Sequence, residues 1–154
     1  MLEIAKNIQV SVSSDQAFHK FLHEFNNWWP REYTWSRDKL IEIRIDARVG
    51  GLCTEVGPYE FRCDWGRVTE LVTNQKIGLK WQISPKREPV PDPEQASTIE
   101  IKFAENQGGT LMELVHQDFE RHGAGIEEYR DAMDSEYGWD YILKCYQTYC
   151  KQSS

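Results

Sequence analysis

Apolar positions recur along this chain with two periods, and the change of period divides it into elements. Residues 2–12, LEIAKNIQVSV, alternate as a β-strand does, successive side chains pointing to opposite faces. Ser13, Ser14, Asp15 and Gln16 then fit the S-x-x-Q capping box that opens a helix. Ala17, Phe18, Phe21, Leu22 and Phe25 follow at three- and four-residue spacing, and Pro30 after Trp28-Trp29 limits the run. The pattern predicts one amphipathic helix over 14–26. Short β-like runs come next, over 40–47, 50–56, 62–73, 76–83, 97–106 and 109–118, divided by turn residues; they predict an antiparallel meander. Pro85, Pro89, Pro91 and Pro93 exclude 84–94 from a central strand and make it a loop or rim. Trp139, Leu143, Tyr146 and Cys150 form one stripe, which predicts a long helix over 135–150.

Parity assigns the strand faces. Ile77, Leu79, Trp81 and Ile83 alternate, as do Ile99, Ile101 and Phe103, and Met112, Leu114 and His116; these are the inward sides. A two-residue turn at Asn74-Gln75 opposes Val72 to Ile77, Glu70 to Leu79 and Val68 to Trp81, which turns Glu70 inward. A turn at Gly108-Gly109 opposes Phe103 to Leu114 and Ile101 to His116. The candidate ligand-facing surface is therefore Val68, Glu70, Leu79 and Trp81 from one hairpin, with Ile101, Phe103, Met112, Leu114 and His116 from the next.

The stretch MELVHQDFERHG sets His116, Asp118, Glu120 and His122 at every second position. On an uninterrupted strand all four would share a face, but they would lie in a line, about 6.5 to 7 Å apart, whereas a metal needs ligands that converge. Gly123 and Gly125 mark the strand's end, which moves Glu120 and His122 into the outgoing loop, and no metal site is expected. His116 by itself reads as a core histidine satisfied by a hydrogen bond, as a polar handle inside an apolar cavity, or as a general base. Base catalysis would need an orienting carboxylate, and Glu70 lies toward the opposite end of its strand, about 14 Å across the sheet. An inward Glu70 would itself need a partner, either Arg or Lys, water, or a ligand hydroxyl or amine. Trp65 and Trp81 read as core packing or as aromatic cavity wall, and Trp139 as a helix anchor. The acidic run Glu127, Glu128, Asp131, Asp134, Glu136 and Asp140 reads as a solvated face with helix amino-terminal charge, and lacks the spacing of a calcium loop.

Composition narrows the function classes. The 154 residues suffice for one domain with a full core, and no second domain, repeat or low-complexity tract interrupts them. The net charge of −7, from 25 acidic against 18 scattered basic residues, argues against nucleic acid or an anionic membrane as partner. With no continuous apolar block and no secretory pattern, the expectation is a soluble cytoplasmic protein whose four cysteines are free thiols. The strand pattern leaves Cys53 and Cys63 able to face each other across a hairpin, while Cys145 and Cys150 point about 140° apart on their helix. No CxxC occurs, so thiolate zinc ligation is not expected.

Several stretches carry a family resemblance: RVGG at 48–51, CDWGRVTE at 63–70, LKWQIS at 79–84, GGTLMELVHQDFERHG at 108–123 and GWDYILKCY at 138–146. Together they resemble the START-like SRPBCC superfamily, and within it the branch named after the activator of heat-shock-protein-90 ATPase. The resemblance runs through nearly the whole chain and implies an α+β helix-grip fold, in which an antiparallel sheet of six or seven strands wraps a long carboxy-terminal helix. It implies a cavity between sheet and helix, filled in the wider superfamily by lipids, sterols, polyketides or plant hormones; no cofactor is expected. Fold alone does not choose among these. The leading expectation is a binder of a mainly apolar small molecule. The rivals are an enzyme acting on a hydrophobic substrate through His116 or Glu70, and a chaperone-interacting module like the activator. The activator has a further amino-terminal docking domain, for which this chain is expected to have no room.

Overall fold

Alternation of buried and exposed positions builds one seven-stranded antiparallel sheet in the computed structural model, which describes residues 2–152. The strands are β1 (Ile4–Val10), β2 (Glu42–Ile45), β3 (Leu52–Val56), β4 (Arg62–Val72), β5 (Lys76–Trp81), β6 (Ser97–Asn106) and β7 (Gly109–Gln117). Their spatial order is β1-β7-β6-β5-β4-β3-β2, a meander whose first strand returns to pair with the last. The helices are α1 (Ser14–His23), α2 (Phe25–Trp28), α3 (Ile126–Asp134) and α4 (Trp139–Gln152). Helices α1, α2 and α4 cover the concave side of the sheet, where Phe18 meets Phe103 edge-on at 5.7 Å and Phe21 meets Tyr146 at 5.5 Å. This is the helix-grip arrangement that the resemblance implies.

The helices differ from the pattern-based expectation at their ends. Ser13 holds the N-cap position of α1, but its hydroxyl bonds the Asp15 carboxylate and makes no cap to the backbone. A charged acceptor two residues away outcompetes the amide arrangement of a capping box. The helix over 14–26 breaks at Glu24 (φ −117°, ψ 23°), and this turns Phe25 to stack on Trp29 at 4.9 Å and on Trp65 at 5.3 Å. The long carboxy-terminal helix starts at Trp139, not at 135. Ahead of it α3 occupies the acidic run, with Tyr129 and Met133, one turn apart, buried. Gly138 makes the tight junction between them, because a Cβ there would sit 2.2 Å from the Met133 carbonyl oxygen.

Two registers are corrected. The β6–β7 turn is Gln107-Gly108, both residues left-handed (φ 52° and 81°), so that Phe103 opposes Met112, Ile101 opposes Leu114 and Ile99 opposes His116. Gly109 belongs to the strand instead, since a Cβ there would lie 2.2 Å from the Val10 carbonyl oxygen. The shift is by two residues, so every inward assignment on these strands survives. Between β4 and β5 the loop is Thr73-Asn74-Gln75, with Val72 opposite Lys76, and a bulge at Thr69 then adds one residue to β4. Leu71 therefore opposes Ile77, Glu70 opposes Gly78 and Val68 opposes Leu79, while Trp81 faces Gly66. Val68 stays inward, 1% exposed. Glu70 is turned out, half exposed, and its carboxylate pairs with Lys76 Nζ at 3.0 Å. The inward reading of Glu70 is thus overturned by one inserted residue.

All four cysteines are free thiols; Cys53 opposes Gly66 and Cys63 opposes Glu55, so these two do not face each other. Among the described residues no helix is long and apolar enough to cross a membrane.

Candidate functional site

Two of the alternating quartet, His116 and His122, join a hydrogen-bonded chain through Ser97, and the four do not form a row. Asp118 adopts the left-handed conformation (φ 64°), which ends β7 and starts a 3-10 turn over Phe119–His122. That turn folds His122 back onto Ser97 at the start of β6, leaving Glu120 exposed. His116 is fully buried, its Nδ1 3.0 Å from Trp139 Nε1 and its Nε2 2.7 Å from Ser97 Oγ. An indole N–H only donates, so Nδ1 accepts and the neutral ring carries its proton on Nε2, donated to Ser97. The Ser97 hydroxyl in turn donates to His122 Nε2 at 2.8 Å, which also accepts the Ser97 amide at 3.1 Å. His122 Nδ1 ends the chain, buried and with no partner among the described residues. Burial pushes His116 well below its ordinary 6.5, His122 adding to the effect, and burial pushes His122 down to about 4. Among the described residues no three His, Cys, Asp or Glu side chains gather to hold a metal ion.

Trp139 therefore fixes the His116 tautomer as well as anchoring α4. Trp139→Phe would leave Nδ1 a buried acceptor without a donor, at a cost of about 2 kcal/mol. Urea unfolding measures the loss. Nitrogen-15 spectra of the unaltered protein should show the His116 proton on Nε2.

A separate cavity of about 350 Å³ opens at the end of β5, where Trp81 is the last residue of the strand and residues of the α3–α4 junction complete the lining. Its inner walls are Trp29, Trp81, Tyr129, Met133 and Ile142, and Tyr33, Arg87 and Tyr137 stand among the remaining lining residues. Tyr129 is the polar hub: its hydroxyl accepts from Trp81 Nε1 at 2.7 Å and donates to the Ile83 carbonyl at 2.7 Å. Burial pushes this phenol up to about 12, so it stays neutral. Tyr33 donates to the Tyr137 carbonyl at 2.6 Å, which ties the first turn after α2 to the α3–α4 junction. Trp29, 7% exposed, keeps its indole N–H buried without an acceptor among the described residues. A larger depression of about 520 Å³ beside α1, edged by Asp15, Lys20 and Glu24, is polar and more open to solvent.

Of the residues the sequence put forward as ligand-facing, Trp81 alone lines this cavity. Val68, Leu79, Ile101, Phe103, Met112 and Leu114 are inward and buried, yet they belong to the packed core under the helices. His116 lies one ring further in, 6.0 Å from Trp81 and 5.8 Å from Trp139, and Glu70 is on the opposite face of the sheet. The cavity residues that sequence reasoning missed include Trp29, Tyr33, Arg87, Tyr129, Met133 and Ile142. Tyr129 and Met133, spaced i and i+4, were the legible signal, and the surrounding charge obscured it.

Comparison with known proteins agrees with the fold. No curated protein sequence matches the chain. Among solved structures, an anthrahydroquino-Gama-pyrone synthase, Txn09, is 27% identical with a TM-score of 0.68, covering 96% of this chain and 96% of that one. The self-sacrificing resistance protein CalC from Micromonospora echinospora is 20% identical with a TM-score of 0.70, covering 99% and 96%. The Aha1 dimer from Colwellia psychrerythraea is 15% identical with a TM-score of 0.62, covering 96% and 94%. The last two share the fold alone. A family model described as Activator of Hsp90 ATPase homolog 1-like protein matches residues 15–147, from the first helix nearly to the end of the last, and the chain belongs to that family.

Proposed function

We propose that this protein binds a small, mainly apolar molecule in the cavity between Trp81, the α3–α4 junction and Trp29. The observation that carries the reading is the cavity itself: about 350 Å³ of preformed space with aromatic and aliphatic walls. Such concave, largely apolar sites with a few fixed polar groups are the usual form of a small-molecule site. Trp29 and Trp81 supply flat faces against which a ring system can stack. The fold's occurrence in a pyrone synthase at 27% identity supports a cyclic ligand, and it also keeps alive a second reading in which the bound molecule is converted. In that reading neither His116 nor Glu70 is the acting group, because neither borders the cavity; Tyr129 and Arg87 do.

A hydrophobic ligand is expected to quench or shift tryptophan fluorescence through Trp29 and Trp81. Ala132→Trp provides the control, since Ala132 lines the cavity while exposed, so an indole there obstructs the space without overpacking the core. Binding should weaken by more than about tenfold in that variant, the equivalent of losing one well-buried contact surface. Unchanged affinity would refute the site. Native mass spectrometry of ligand before and after incubation separates binding from conversion.

A further inference from the structure

On a chain with 25 acidic and 18 basic residues, any enclosed surface should meet carboxylates more often than guanidinium groups. The cavity departs from this. Among the described residues that line it, Arg87 is the only charged one, and no Asp or Glu shares the wall. Arg87 sits at the tip of the loop after β5 in the left-handed conformation (φ 63°), a strained position for a side chain with a Cβ. The loop is nevertheless pinned. The Arg87 amide donates to the Ser84 carbonyl at 2.9 Å, and the Arg87 carbonyl accepts from Trp35 Nε1 at 2.8 Å.

The guanidinium of Arg87 makes no hydrogen bond or ion pair with any described residue. Glu32, which borders the adjoining depression together with Arg37 and Arg87 itself, is engaged with the Tyr141 hydroxyl at 2.7 Å. Arg87 shares the cavity lining with Tyr33 and Tyr129, and its charge favours ionisation of both, against the larger effect of burial. Among the lining side chains, donors still unused are the Arg87 fork at the mouth, the buried Trp29 N–H and the exposed Tyr137 hydroxyl. The phenolic protons of Tyr33 and Tyr129 are already given to carbonyls. A cavity with donors to spare selects a molecule rich in acceptors.

We infer that the ligand of this cavity is an aromatic acid, its rings against Trp29 and Trp81 and a carboxylate or phenolate oxygen on the Arg87 guanidinium; this rests on the cavity reading above. Trp29 Nε1 then donates to a second acceptor, such as a ring carbonyl, deeper in the site. A planar two-oxygen anion suits the Arg87 fork better than a point charge would, which is why lysine is a poor substitute.

Two fluorescent probes test this, anilinonaphthalene sulfonate and phenylnaphthylamine, which share their ring system and differ by the anionic group. Arg87→Gln is expected to weaken the sulfonate about tenfold, the scale of one charge-assisted hydrogen bond, and the neutral probe by less than about twofold. Arg87→Lys should keep part of the sulfonate affinity, and raising salt should weaken the sulfonate alone. Because Arg87 is exposed, none of these changes should alter the fold, and near-ultraviolet circular dichroism checks it. If Arg87→Gln moves both probes equally or neither, while Ala132→Trp still blocks the neutral one, the acid inference is overturned and the cavity reading stands. If neither probe binds the unaltered protein, both are overturned.

Discussion

Replacing Glu55 with leucine is expected to lower the unfolding free energy by about 3 kcal/mol, because it strands two backbone donors at once. Glu55 lies on β3 and is 1% exposed. Its two carboxylate oxygens accept the amides of Trp35 at 3.1 Å and Ser36 at 2.8 Å, in the segment between the first helices and β2. Leucine keeps much of the volume and none of the acceptors, so the loss reports the hydrogen bonds and not a void. The effect should extend to the mouth of the cavity. Trp35, held by Glu55, is the residue whose indole pins the Arg87 loop. Urea denaturation should show the drop in stability, and Glu55→Gln, which keeps one acceptor, should recover part of it. If Glu55→Leu is as stable as the unaltered protein, the segment is held by something other than this carboxylate.

Acid should unfold the protein earlier than its carboxylates alone would dictate. His116 is held neutral in the fold, its pKa pushed well below 6.5 by burial, whereas in the unfolded chain it titrates near 6.5. As pH falls below 6.5, the unfolded state takes up a proton that the folded state refuses. Stability is therefore complete above about 6.5 and declines below it by about 1.4 kcal/mol per pH unit for one such histidine. Between pH 7.5 and 5 that amounts to about 2 kcal/mol from His116. His122, held down to about 4, works in the same direction with a smaller share, because its partial exposure lets solvent screen the charge. Urea midpoints across this range give the slope. His116→Gln should begin lower at pH 7.5, having lost part of the Trp139 and Ser97 bonds, and should then fall less steeply. An unchanged slope in that variant would mean that another group takes up the proton.

Period and parity are local properties, and they were legible. The strands over 97–106 and 109–118, read from alternation, are β6 and β7 almost to the residue, and the inward sets Ile99, Ile101, Phe103 and Met112, Leu114, His116 are all buried. Those sets also survived a misplaced turn, because a slip of two residues leaves the faces unchanged. The resemblance in motifs such as CDWGRVTE and GWDYILKCY carried the fold class over the remaining uncertainty.

What the tertiary structure alone decided is of another kind. The bulge at Thr69 depends on how β4 meets its partner, and no period within β4 announces it, yet it sends Glu70 to solvent. Ser97 became the link between two histidines only because Asp118 turned the chain back across the end of β6. The cavity is further still from any local pattern. Trp29, Arg87 and the α3 pair Tyr129 and Met133 come from three separate parts of the chain, and they enclose space only because the α3–α4 junction is brought over the end of β5. A side chain's preference for the interior is set by its own chemistry and its neighbours in sequence. An unfilled volume is a difference between many distant side chains, and only their arrangement in space fixes it.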